Sequence, residues 1–151
     1  MNQAELEQIS RDAAAVFTGL RFGKVFPLGP VSLVIDLFPH SGEYLYVNCD
    51  PRVRACYLIT RRLKDLERSA THASQFVINM RKLLSGREIR SIETLREADK
   101  VMTIALASED DLVTLVLQLG GRRPNILILD SDNTVIDALN YASSEQIIGS
   151  E

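Results

Sequence analysis

Apolar positions recur along this chain in two rhythms, and the elements it forms are expected to change where the rhythm changes. At the start, Leu6, Ile9, Ala13, Val16, Phe17 and Leu20 follow one another at steps of three and four. Asn2 with Glu5 three residues on makes a capping-box-like opening, and Gly19 supplies a stop, so a helix is predicted over Gln3–Thr18. The period then falls to two. Val31, Leu33, Ile35 and Leu37 alternate with Ser32 and Asp36, which predicts a half-buried strand from Val31 to Phe38. A turn at Pro39-His40-Ser41-Gly42 sends the chain back through Tyr44–Val47, Asp50-Pro51 ends that strand, and Arg54–Thr60 reads as another. The run RRLKDLERSA between Thr60 and Thr71 fits either helix or loop. Phe76, Val77, Met80, Leu83 and Leu84 restore the helical step, so a second helix is predicted from a Thr71 cap through Ser85, with Gly86 ending it. Strands follow at Ile89–Leu95, Lys100–Ala107 and Leu112–Leu119, the last with Val113, Leu115, Leu117 and Leu119 inward. Within Leu115–Asp137, three apolar runs are split by Gly120-Gly121-Arg122-Arg123-Pro124 and by Asp130-Ser131-Asp132-Asn133, the punctuation of antiparallel hairpins. About eight strands and two main helices make an α+β pattern dominated by antiparallel sheet.

Composition narrows the class without naming a function. A chain of 151 residues, 46% hydrophobic with a mean hydropathy of +0.02, suits one globular domain over 1–151 with a real core. No apolar run approaches the roughly 20 residues of a membrane span. The acidic, polar start MNQAELEQIS lacks the basic and apolar segments of a signal peptide, so a cytoplasmic location is expected. Cys49 and Cys56 lie seven apart, which fits neither a redox pair nor a zinc knuckle; they read as two reduced thiols, and no metal or cofactor is expected. The two histidines, His40 and His72, have no Ser, Cys or Asp partner pattern, and no phosphate-loop, dinucleotide or zinc-protease motif occurs. The acidic cluster Glu109-Asp110-Asp111 reads as an exposed hairpin tip.

The net charge of −3 conceals an asymmetry. Residues 1–50 hold three Lys/Arg against six Asp/Glu, residues 51–100 twelve against six, and residues 101–151 two against eight. The middle third either builds a positive face or consists of solvated and locally paired residues, as Arg62 and Lys64 beside Asp65 and Glu67 would be. The paired arginines Arg122-Arg123 stand out, because Gly120-Gly121 would turn the chain without them. They are a solvated hairpin tip, or they present guanidinium forks to phosphate or carboxylate. Overall acidity argues against tight nonspecific nucleic-acid binding and permits a small, oriented contact.

Several of these segments together resemble a family. LGGRRPNILILDSDNTVID, with Gly121, Arg122, Asn125 and Asp130, is similar to the stretch near the end of the NFACT-N domain, also called the fibronectin-binding protein A N-terminal domain. FVINMRKLLSGREI resembles that family's helix through Met80, Arg81, Lys82, Leu84, Gly86 and Ile89, and LRFGKVFP (Leu20–Pro27) resembles its opening strand. The resemblance implies two antiparallel sheets packed face to face and flanked by helices, a β-sandwich similar to the N-terminal domain of formamidopyrimidine-DNA glycosylases. It also implies longer relatives with helix-hairpin-helix, coiled-coil and RNA-binding segments, so this chain would be an excised domain or a stand-alone relative.

The family's role implies an RNA-binding module. Its full-length members act in ribosome-associated quality control, on a stalled large ribosomal subunit with a tRNA bound. An Asp-Arg pair at the start of a strand is linked there to tRNA binding, and the matching place here is Asp99-Lys100. Lysine keeps the charge and loses the bidentate fork. The expected RNA-binding residues are therefore Asp99, Lys100, Arg122 and Arg123, with Arg81 and Lys82 extending the face. Arg81 and Lys82 also suit a helix C-terminus with no ligand at all. The partners implied are tRNA, ribosomal RNA of the large subunit and C-terminal domains of a full-length protein. Two other readings stand beside this one. The family's older name implies adhesion or another protein interaction. The glycosylase-like fold implies a nucleic-acid enzyme, but Met1-Asn2-Gln3 offers no N-terminal proline as nucleophile and Glu5 falls in the first helical turn, so no catalysis is expected.

Overall fold

The computed structural model of the chain describes residues 1–37 and 42–140. Helix α1, Gln3–Phe17, opens on the predicted capping box: the Asn2 side chain accepts from the Glu5 N–H at 2.8 Å, and the Glu5 carboxylate accepts from the Asn2 N–H at 3.0 Å. Four short strands follow as an antiparallel meander, β1 Val25–Pro27, β2 Ser32–Ile35, β3 Glu43–Asn48 and β4 Ala55–Thr60. Helices α2, Leu63–Ser69, and α3, Gln75–Leu84, then lead into a second meander of β5 Glu88–Thr94, β6 Val101–Ser108, β7 Asp111–Gln118, β8 Asn125–Leu129 and β9 Val135–Ala138. Every strand pair among the described residues is antiparallel.

The two sheets share one apolar core. Leu33, Ile35, Leu45 and Val47 from the smaller sheet meet Ile104, Leu115, Leu117 and Ile128 from the larger, all nearly or wholly inaccessible. Burying each such side chain stabilises the fold by about 1.5–3 kcal/mol. Helix α1 closes one side of this core against β5 and β4, and α3 closes the other against β1 and β9. The predicted inward set Val113, Leu115, Leu117 and Leu119 is buried in that core.

Several boundaries differ from expectation for physical reasons. The ambiguous segment forms α2, a two-turn helix in which only Leu66 is buried, so no apolar stripe announced it. Leu66 lies with Phe26, Val34 and Tyr44 on the outer face of the smaller sheet. That cover explains why Val34 is inaccessible, where alternation predicts one polar face; Asp36, just past β2, is only 4% exposed and packs against Gly23. Helix α3 starts later than predicted because Thr71 is engaged elsewhere: its N–H and hydroxyl both donate to the Pro27 carbonyl. Ser74 caps the helix instead, accepting from the Val77 N–H. Phe38, Pro39, His40 and Ser41 of the first predicted strand and turn lie outside the described residues; Gly42, which follows, has φ +82°.

In the larger sheet, meander topology sends the β5–β6 and β7–β8 connections to one end and the β6–β7 and β8–β9 connections to the other. The first end carries Arg96, Glu97, Asp99, Lys100, Arg122 and Arg123. The second carries Glu109, Asp110, Asp111, Asp130 and Asp132. The two ends of this sheet thus differ in charge, one carrying four cations and two acids and the other five acids.

Candidate functional site

At the first end, the β5–β6 and β7–β8 connections interlock. Asp99 and Lys100 lead into β6, and the Gly120–Arg123 turn leaves β7. Sheet pairing continues past the strands through the Leu119 N–H, which donates to the Lys100 carbonyl at 2.9 Å. The Asp99 carboxylate accepts from the Lys100 ammonium at 3.2 Å through one oxygen and from the Gly121 N–H at 3.4 Å through the other. These bonds, with the nearby charge of Arg54, hold the Asp99 carboxyl below its usual acidity range, the Lys100 hydrogen bond having the largest effect. Gly120 sits directly on Asp99: a Cβ there would meet the Asp99 backbone carbonyl oxygen and lie 2.5 Å from its carboxylate oxygen. Gly121, with φ +75°, supplies the left-handed turn. Lys100 is itself left-handed at φ 53°, its N–H donating to the Gln3 side chain at the start of α1.

A residue that no local pattern singles out completes the arrangement. Arg54, in the connection between β3 and β4, reaches across from the other sheet. Its guanidinium donates to the Leu119 carbonyl at 3.1 Å and to the Gly121 carbonyl at 2.7 Å. It thereby fixes the backbone that carries Arg122 and Arg123. On the far side, Asn125 ties the turn to the end of β9, its side chain bonding the backbone of Asn140 in both directions.

Of the six residues expected to form a face, the structure brings four together. Arg122 and Arg123 are exposed. Lys100 is withdrawn, its side chain 23% exposed and its ammonium turned onto Asp99. Arg81 and Lys82 stand elsewhere, in the last turn of α3, which leads into the start of β5; Asp99 follows the opposite end of that seven-residue strand, about 20 Å away at ~3.3 Å per residue. Arg81 donates to the Val25 carbonyl at 2.8 Å, which ties α3 to β1. Nor does the basic middle third form one face. Arg52, Arg54, Arg61, Arg62, Lys64 and Arg68 belong to the smaller sheet's connections and α2, and Arg87 bonds Asp111 at the acidic end. Arg62 and Lys64 form no ion pair with Asp65 or Glu67 among the described residues.

Other chemistry is sparse. Among the described residues, no three His, Cys, Asp or Glu stand together as a metal site would need. Cys49 and Cys56 are buried free thiols whose pKa burial pushes up to about 12. No helix of the described residues is long and apolar enough to cross a membrane.

Two meandering sheets around one core, with charged connections locked together at one end, define a domain that presents a surface. The chain belongs to the family of NFACT N-terminal and middle domains, whose model matches residues 4–147. The fold is similar to the N-terminal domain of fibronectin-binding protein PavA from Streptococcus pneumoniae, with a TM-score of 0.79 and 20% identity over 93% of this chain and 56% of that one. It is similar also to the N-terminal part of the fibronectin/fibrinogen-binding protein of Streptococcus suis (TM-score 0.75, 19% identity, 89% of this chain and 51% of that one). A third likeness is to the fibrinogen binding protein of Staphylococcus aureus (TM-score 0.71, 18% identity, 89% and 49%). This chain thus spans about half the length of these solved structures. No curated protein matches it.

Proposed function

We propose that the Asp99–Lys100 and Arg122–Arg123 end of the larger sheet is a non-catalytic RNA-binding surface. Its ligand is tRNA or ribosomal RNA of the large subunit, in the setting of cytoplasmic ribosome-associated quality control. The observation that carries this reading is the interlock of two connections, Asp99 bonded to Gly121, which holds two exposed arginines on a fixed backbone. Asp99 acts here as a positioning residue. The arginines supply phosphate forks, and Lys100 joins them by leaving Asp99. Family membership supports RNA as the partner class, and likeness to a glycosylase domain is proposed for the fold alone. Two to four phosphate contacts, each adding a slope of about −0.7 to −0.9 in log K against log salt, make a modest binder that gains from avidity.

The test is tRNA binding at low salt by the wild type, Lys100→Ala and Arg122→Ala/Arg123→Ala, with folding checked by circular dichroism. Weaker binding and a shallower salt slope in both variants are expected. Equal binding by all three removes these residues from the site. A second reading rests on the three solved structures, whose names specify fibronectin or fibrinogen binding: the same end would then dock a protein, with binding to fibronectin and none to tRNA.

A further inference from the structure

The outer face of the smaller sheet holds a second feature, away from the loop end. Helix α2 covers only part of that face. Leu66 seals Phe26, Val34 and Tyr44, and the remainder carries Tyr46 and Tyr57. These two are direct cross-strand partners on β3 and β4, with ring centroids 5.1 Å apart and planes tilted by 45°. The Asn48 side chain donates to the Tyr46 hydroxyl at 3.2 Å and anchors that ring, while Tyr57 is left 46% exposed. Between the pair and α2 lies a cavity of about 170 Å³. Ile59 and Leu66 give it an apolar floor, and Arg61, Asp65 and Ser69 give it a polar rim. Arg62, Lys64 and Arg68 are exposed on the same short helix segment, and none of them is in a salt bridge among the described residues.

An exposed ring on a sheet face, a slot beside it and the Arg61 guanidinium on its rim match the demands of one ligand class. A flat aromatic surface offers stacking to any nucleobase, and Arg61 offers charge to an attached phosphate. We infer that Tyr46, Tyr57 and Arg61 form a stacking platform for an unpaired base of single-stranded RNA. This inference shares with the preceding section only the premise that RNA is the ligand. The site is separate, and it reads unpaired bases where the loop end contacts phosphates.

The chain contains no tryptophan and four tyrosines, so its intrinsic emission comes from tyrosine. Tyr44 is buried, and in a Tyr141→Phe background the change in emission reports on Tyr46 and Tyr57. The probe is a labelled eight-nucleotide single-stranded RNA of mixed sequence, with affinity read by anisotropy at low salt and a duplex RNA as competitor. The expected result is quenched tyrosine emission on binding, with Tyr57→Leu weakening affinity by about 5- to 140-fold. Tyr57→Phe should bind within about twofold of the wild type, since it keeps the stacking ring. Folded Tyr57→Leu that binds as the wild type does would overturn the inference. So would absence of oligonucleotide binding by the wild type, or binding without quenching. The Arg122→Ala/Arg123→Ala protein separates the two sites. Lost tRNA binding with retained oligonucleotide binding supports both. Unchanged tRNA binding, with the Tyr57→Leu effect present, removes the loop end and leaves the platform standing.

Discussion

The interlock at the loop end makes a sharp prediction about two adjacent glycines. In Gly120→Ala the new methyl would meet the Asp99 backbone carbonyl oxygen, and would lie 2.5 Å from the carboxylate oxygen and 2.7 Å from the carbon that bears it. The carboxylate can rotate away, but the carbonyl belongs to the backbone leading into β6. Overpacking of this kind costs about 3 kcal/mol at the upper end of its range. The loss of unfolded-chain freedom on replacing glycine returns about 0.4–1 kcal/mol, leaving about 2 kcal/mol net. At about 2–4 °C per kcal/mol for a domain of this size, melting should fall by about 4–8 °C. Gly121→Ala tests the other glycine. Its Cβ would meet nothing within 4 Å, so its only cost is the positive φ of +75°. That is about 1–2 kcal/mol, mostly offset by the same entropy, for a fall of about 1–3 °C. Adding Asp99→Ala to Gly120→Ala should restore little, because the backbone carbonyl remains. Thermal denaturation by circular dichroism at pH 7 measures all of these. A Gly120→Ala protein melting within 1 °C of the wild type, or less affected than Gly121→Ala, would refute the packing of the two connections.

Four further outcomes follow from other parts of the structure. Arg54→Ala should lose about 2 kcal/mol in urea denaturation with an unchanged m value, because two carbonyls of the β7–β8 connection lose a charged donor. Cys49 and Cys56 should resist a thiol reagent at pH 8 until the protein unfolds, since burial holds both near a pKa of about 12 against an ordinary value of 9.0. The folded state then keeps protons that the unfolded chain gives up, so the stability from these groups is intact below about pH 9 and drains away as the pH rises toward 12; a urea midpoint that is flat from pH 8 to 11 would contradict this. Asn2→Ala removes the α1 cap and should cost about 1 kcal/mol by the same urea assay, with no loss if the capping box is not formed.

What the sequence disclosed divides along a physical line. Elements with a sustained period are legible: α1 through its stripe and capping box, and β7 through Val113, Leu115 and Leu117 at steps of two. Helix α2 is not, because one buried leucine in seven residues is no stripe. The cap of α3 is not legible locally, because Thr71 and Ser74 are equally good caps and a contact 44 residues away, with Pro27, decides between them. The candidate site shows the same division. Arg122 and Arg123 were conspicuous beside two glycines, and Asp99-Lys100 was found by resemblance. Arg54 lies 65 and 67 residues from the carbonyls it holds, and nothing in its neighbourhood records that pairing. Tyr46 and Tyr57 meet only through strand register. Exposed charge carries no period, so which cations share a surface is fixed by topology alone.

That topology also separates the residues that would touch RNA from those that prepare the surface. Side chains as long as arginine lose rotamer freedom on binding whatever the backbone does, and a loose backbone would add its own ordering cost. Here the turn is held at three points before any ligand arrives: the Gly121 N–H on Asp99, the Leu119 and Gly121 carbonyls on Arg54, and Asn125 on Asn140. Removing an anchor should therefore lower affinity without removing a phosphate contact, whereas removing an exposed arginine removes the contact itself. Salt titration distinguishes the two. Arg122→Ala should lower the tRNA affinity and flatten log K against log salt by about 0.7–0.9 for each phosphate released. Arg54→Ala should lower the affinity at every salt concentration and leave the slope where it was. If Arg54→Ala flattens the slope as Arg122→Ala does, its guanidinium meets the RNA directly, and the carbonyl bonds seen here give way on binding.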